Sequence, residues 1–141
     1  MNTKQFLKNW HLKRVKDNTT YSCTIPCDNI SVLFEAGTIP DPYYADNETH
    51  LQWIGYEDWI YYTEFELDPA VLLNDYIFIS LNGIDTFADV YLNDTKIGSI
   101  DNMFRSYCFS ISKNTFKTRN ILTLYFTSPV NTALNKREQL P

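Results

Sequence analysis

Residues 59–67, WIYYTEFEL, decide the fold of this chain. The odd-numbered positions carry Trp, Tyr, Thr, Phe and Leu, whereas Glu64 and Glu66 lie between them. Side chains alternate between the two faces of a β-strand, so this period of two puts the apolar residues on a buried face and the glutamates on a wetter one. The stretch therefore predicts a half-buried strand.

Seven further short segments predict strands on either side of it. They are residues 10–15, 21–25, 76–81, 86–92, 96–100, 104–111 and 121–127. The segment 76–81, YIFISL, is almost continuously apolar, which predicts a strand covered on both faces. Asn93 and Asp94 form a turn dipeptide between two strand patterns and predict a hairpin. Eight short strands with brief turns predict an all-β fold, an antiparallel β-sandwich of the jelly-roll kind.

One short helix is predicted near residues 29–36. Asp28 precedes it at the position of an N-cap, and Ile30, Leu33 and Phe34 recur at helical spacing. Gly37 follows, where a helix commonly ends in a left-handed residue.

Length and charge limit the classes of function. At 141 residues the chain predicts one domain, residues 1–130, followed by a polar linker, residues 131–141, towards downstream domains. A net charge of −5 argues against nucleic acid. No apolar run approaches the ~20 residues of a membrane span, and the polar N-terminus lacks the apolar core of a signal peptide, so we expect a cytoplasmic protein.

The sequence offers no metal or cofactor motif. Cys23 and Cys27 have a CxxxC spacing without a nearby histidine, and Cys108 falls in a strand, where we expect a small core residue. We expect three reduced, structural thiols in a reducing compartment. With four glycines in all, a dinucleotide-binding fingerprint is not expected, and we predict no cofactor.

Residues 41–62, DPYYADNETHLQWIGYEDWIYY, form a long aromatic loop that runs into the first quoted strand. Such a loop typically presents a surface to another molecule. Two alternatives stay open: sugar rings stacked on aromatic faces with carboxylates and amides on their hydroxyls, or a partner domain.

Four motifs are distinctive: LQWIG at 51–55, DW at 58–59, NGIDTFADVYLND at 82–94 and DNMFR at 101–105. With these motifs, the sequence from about residue 10 to residue 130 resembles the N-terminal domain of β-mannosidases of glycoside hydrolase family 2. Cys27 stands where the family usually has glycine. Ile30 and Val32 replace a common His and Asp, so a polar role at those two positions is not carried over.

The resemblance implies a jelly-roll domain that precedes immunoglobulin-like domains and a catalytic (β/α) barrel, with β-mannoside glycans as ligands of the whole enzyme. Such enzymes release terminal β-mannose with retention through two glutamates, whose carboxyls are about 5–5.5 Å apart. Those glutamates belong to the barrel, so this chain alone should be inactive.

Six residues are candidates for sugar binding or for contacts between domains. They are Asn47, Glu48, Gln52, Trp53, Asp58 and Arg105. Asp58 either binds sugar hydroxyls or braces the loop through backbone amides. Trp53 is a sugar platform or an interdomain contact, and Arg105 is a structural clamp or a ligand contact. Trp59, in phase with the strand, is assigned to the core.

Three functional hypotheses follow. The first is an accessory domain that supports the barrel and forms one rim of its sugar pocket. The second is a carbohydrate-binding module that grips mannosides by itself, and the third is a purely structural brace. A docking surface requires residues 41–56 to form a partly exposed apolar patch.

Overall fold

Antiparallel strands are the main regular elements of the structure, a computed structural model that describes residues 4–42, 44, 47, 51–84, 87–102 and 104–128. The eight strands found there are β1 (Asn9–Arg14), β2 (Thr20–Thr24), β3 (Trp59–Phe65), β4 (Tyr76–Leu81), β5 (Ala88–Leu92), β6 (Thr95–Ile100), β7 (Tyr107–Ser112) and β8 (Asn120–Phe126). The helix α1 spans Asn29–Glu35, and short 3₁₀ helices span Gln52–Tyr56, Val71–Leu73 and Lys113–Thr115. Glu48 and the predicted linker 131–141 lie outside the described residues.

The strands form two sheets. The larger sheet has the order β2-β1-β3-β8-β5-β6, and β4 pairs with β7 in a second sheet. Every pairing is antiparallel. This confirms the predicted all-β antiparallel sandwich, and β3 confirms the strand read from the alternation in residues 59–67.

Two apolar clusters fill the interior. One lies between the sheets and comprises Trp10, Leu81, Ala88, Val90, Ile100, Leu122 and Leu124. The other lies beneath α1 and the aromatic loop and comprises Leu12, Val32, Leu33, Ile39, Leu51, Ile54 and Trp59. Since burying one such side chain contributes about 1.5–3 kcal/mol, the second cluster holds the loop's base on the sandwich.

The helix begins and ends as the sequence predicts. The Asp28 carboxylate accepts a hydrogen bond from the Ser31 backbone N–H at 2.8 Å, which caps the first turn. Gly37 has a φ of 74°, and the Thr38 N–H donates to the Leu33 carbonyl at 3.0 Å. Val32, where the resemblance implies a polar residue, is buried in the second cluster.

Two sequence predictions are wrong. Strand β4 is not covered on both faces, because Tyr76 and Phe78 are 63% and 64% exposed in this chain. Cys108 is exposed rather than buried. Ile111 takes the inner face of β7, so the period of two turns Cys108 outward.

The two sheets approach each other closely at Gly98 in β6. A Cβ built on Gly98 would lie 2.1 Å from the Cε1 atom of Phe109 in β7. The aromatic ring thus occupies the space that any other residue's side chain would need.

Within the described residues, no helix has the length and apolarity needed to cross a bilayer.

Candidate functional site

Several loops converge at one end of the larger sheet. The strand registers pair Trp59 with Phe126, Phe126 with Ala88, and Ala88 with Ile100, so these residues form one row across four strands. The segments next to that row emerge together. We call this region the loop end and define it as residues 51–58, 101–102, 104–106 and 127–128. Strands lie about 4.8 Å apart, so the outermost of these segments are separated by roughly 15 Å.

Arg14, at the last position of β1, clamps the aromatic loop. Its guanidinium donates two hydrogen bonds to the Glu57 carboxylate, one to each oxygen. It also lies over the Trp53 ring, 4.6 Å from the ring centroid. The hydrogen bonding to Glu57 raises the pKa of Arg14 above its already high ordinary value. A bidentate guanidinium stacked on an indole holds both loop residues in one geometry.

Asp58 joins the loop to the end of β8. One carboxylate oxygen accepts from the Ser128 backbone N–H at 2.7 Å, and the other accepts from the Tyr125 hydroxyl at 3.2 Å. The Ser128 hydroxyl donates in turn to the Gly55 carbonyl at 2.6 Å. In this structure the Asp58 carboxylate therefore braces the loop through a backbone amide.

The tryptophans differ in their surroundings. Trp59 is 2% exposed, and its indole N–H donates to the Ile54 carbonyl at 3.1 Å, which confirms the core assignment. Trp53 is half-buried and packs 6.4 Å from Trp59 between ring centroids. Arg14 lies over one face of the Trp53 ring, so Trp53 already makes a contact within the domain.

The other candidates in the aromatic loop lie apart from this clamp. The Asn47 side chain donates to the Asp41 carbonyl at 2.9 Å and braces the loop locally. Gln52 is exposed at the start of the 3₁₀ helix. Arg14 contacts both Trp53 and Glu57, and Asp58 follows Glu57 in the sequence, so Trp53 and Asp58 lie in one braced region. Gln52 lies apart from them on the surface.

The aromatic loop is partly exposed, as the docking hypothesis requires. Leu51 and Ile54 are each 6% exposed and fix the loop to the core, whereas Tyr44 and Tyr56 are 71% and 54% exposed. The loop is thus neither buried in its own sandwich nor detached from it.

Arg105 belongs to a braced turn at the same end. The Tyr107 hydroxyl donates to the Asp101 carboxylate at 2.9 Å and accepts from the Asp101 backbone N–H at 3.2 Å. The Asn102 side chain accepts from the Phe104 backbone N–H at 2.9 Å. Phe104 and Arg105 are both exposed at the tip of this turn.

An open cleft of about 800 Å³ lies elsewhere, between β2 and α1. Its lining includes Cys23, Cys27 and Asp28 but none of the five predicted site residues that the structure describes. Burial raises the pKa of the Cys23 thiol to about 12, and it also raises that of Cys27. Neutral thiols are weak nucleophiles, so the cleft shows no activated group.

Arg14 and Phe104 were not among the predicted site residues. Arg14 shares the core face of β1 with Trp10 and Leu12, and a cation at the end of an apolar face signals a partner. Its partner Glu57 lies 43 residues away, and nothing local identifies it. Phe104 was placed at the start of the predicted strand 104–111, whereas β7 begins only at Tyr107, so the assignment of Phe104 to a strand is wrong.

Fold and site together define one class of domain: an antiparallel sandwich that presents braced aromatic loops at one end. Over residues 10–141 the chain matches the family described as glycosyl hydrolase 2, galactose-binding domain-like. The chain belongs to this family.

Similar proteins agree with that assignment. The β-mannosidase of Bos taurus is 36% identical over 131 residues, 93% of this chain and 15% of that protein. The β-mannosidase of Mus musculus is 34% identical over 124 residues, 88% of this chain and 14% of that protein. The solved β-D-mannosidase of Dictyoglomus thermophilum superposes with a TM-score of 0.90 at 34% identity, covering 98% of this chain and 17% of the solved one. This chain therefore spans about one seventh of the length of such relatives.

Proposed function

We propose that this chain is the N-terminal accessory domain of a retaining β-mannosidase, which docks on the catalytic barrel through its loop end and forms one rim of the sugar pocket. The chemistry, release of terminal β-D-mannose, belongs to glutamates of that barrel. The observation that carries the proposal is the exposure of Tyr44 and Tyr56 on a loop whose base is fixed in the core.

The contribution of the domain is positional. The Arg14 clamp and the Asp58 brace hold the loop in one conformation before any partner arrives. A rim fixed in this way narrows a cleft, excludes water and orients the sugar without reorganising in the reaction. Tyrosine suits such a rim, because its ring supplies apolar area and its hydroxyl tolerates water.

Kinetics of the full-length polypeptide that carries this domain test the proposal. Tyr56→Ala should raise KM for a β-mannoside or lower kcat/KM several-fold, because it truncates the rim. Leu73→Ala is the matched control, since Leu73 is 85% exposed on a different segment. If KM and kcat/KM were equal in the two variants and the unmodified enzyme, the proposal that Tyr56 forms part of the rim would be refuted.

A titration of the 141-residue chain with mannose and β-mannobiose separates docking from a stand-alone binding module. Tryptophan fluorescence and amide NMR shifts should not change at millimolar sugar, because the Trp53 ring is already covered by Arg14. Saturable shifts within residues 47–59 that Trp53→Ala abolishes would instead assign a sugar site to the domain itself. A Gln52→Ala control excludes a general effect of altering the loop.

We also propose that the protein is cytoplasmic. Cys23, Cys27 and Cys108 are all free thiols, which suits the reducing environment of a cytoplasmic protein.

A further inference from the structure

Phe104 is the most exposed large apolar side chain in the described part of the molecule, at 91%. A phenylalanine left in water forgoes the free energy that burial of its ring would contribute. It lies at the loop end, in the same row of segments as the aromatic loop. An exposed ring at that position is available to a partner that covers the loop end.

The backbone beneath Phe104 is held in place. Its N–H donates to the Asn102 side chain, and the Arg105 N–H donates to the Asn102 carbonyl at 3.3 Å. The Tyr107 hydroxyl ties Asp101 to the same turn. Because the turn is preorganised, seating the ring in a partner requires little additional loss of backbone entropy.

A charged neighbour accompanies the ring. Arg105 is exposed, and no ion pair connects it to any of the residues that the structure describes. Phenylalanine and arginine are both enriched at the cores of protein interfaces. The pair fits an apolar pocket bordered by a carboxylate.

We infer that Phe104 is an anchor residue that inserts into an apolar pocket on a following domain of the same polypeptide, with Arg105 paired to a carboxylate at the rim of that pocket. The inference rests on the proposed docking function and extends it to a second contact on the loop end. A second copy of this chain is a poorer occupant, because each copy carries a net charge of −5. A neutral mannoside offers no carboxylate to Arg105.

Hydroxyl-radical footprinting tests the anchor, by comparing the full-length polypeptide with the 141-residue chain. Oxidation of Phe104 should fall at least five-fold in the full-length polypeptide. Leu73, of similar exposure, is the internal control and should react equally in both. Tyr56 reports separately on docking of the aromatic loop.

The outcomes are distinguishable. Protection of Tyr56 without protection of Phe104 would refute the anchor and leave the proposed docking intact, whereas reactivity unchanged at both residues would refute docking and anchor together. If protection of Phe104 required β-mannobiose, Phe104 would be assigned to a sugar site instead. If protection grew with the concentration of the 141-residue chain, Phe104 would be assigned to self-association.

The variant Arg105→Gln tests the ion pair. In the full-length polypeptide at low salt, oxidation of Phe104 should be at least two-fold faster in this variant than in the unmodified protein, and an equal rate would refute the ion pair.

Discussion

Gly98→Ala tests the close approach of the two sheets. The new methyl group would lie 2.1 Å from Cε1 and 2.7 Å from Cζ of Phe109. Carbon atoms in contact are normally about 3.5–4.0 Å apart, so the ring must retreat by more than about 1 Å. Phe109 is packed against the first core cluster and stacked on Tyr107 at 6.4 Å between centroids, which opposes that movement.

The expected cost follows from two opposing terms. Overpacking a fitted interior costs about 1–3 kcal/mol. Replacing glycine within a strand returns about 0.5–1 kcal/mol of backbone entropy. We therefore expect Gly98→Ala to lower the free energy of unfolding by about 1–2 kcal/mol, read from urea unfolding followed by tryptophan fluorescence.

A double-mutant cycle isolates the steric term. In a Phe109→Ala background the obstructing ring is gone, so Gly98→Ala should be neutral or stabilising by about 0.5–1 kcal/mol. Gly83→Ala is the control: its φ is 65° and nothing lies within 4 Å, so its cost should not depend on Phe109. An equal cost of Gly98→Ala in both backgrounds would refute the steric reasoning.

Three further predictions concern the brace and the thiols. Asp58→Ala should lower the free energy of unfolding by about 2–3 kcal/mol, because it removes a charged acceptor; a denaturation midpoint within error of the unmodified chain would contradict this. A thiol-specific reagent should modify exposed Cys108 at least ten times faster than Cys23, and equal rates would show that burial does not protect Cys23. Stability should also fall as pH rises from about 9 towards 12, because the raised pKa of Cys23 favours folding only while the thiol is neutral. Cys23→Ala should flatten that alkaline decline.

Local patterns predicted the elements whose signals are local. The alternation in residues 59–67 depends only on neighbours two positions apart, and β3 appears there. Asp28 and Gly37 predicted both ends of α1 for the same reason, since each acts on backbone groups within three or four residues. In β4 the continuous apolar run predicted a strand correctly, but it did not show whether both faces are covered within this chain.

The candidate site depends on contacts that no local pattern contains. Arg14 meets Glu57 only because β1 pairs with β3 in the observed register. Asp58 likewise reaches Ser128 because β3 and β8 are neighbours, although 70 residues separate the two. The residue types of the aromatic loop predicted that it presents a surface to another molecule. The sheet topology determines which of its polar groups already form hydrogen bonds within the domain.

The position of Ser128, the last residue that the structure describes, has a consequence for the proposed docking of the loop end. Ser128 is tied to Asp58 and Gly55, so it lies beside the aromatic loop. A domain that follows on a short tether would meet this surface at an effective concentration in the millimolar range. Contacts too weak to hold two separate molecules are then sufficient, because the tether has already removed most of the entropic cost of encounter.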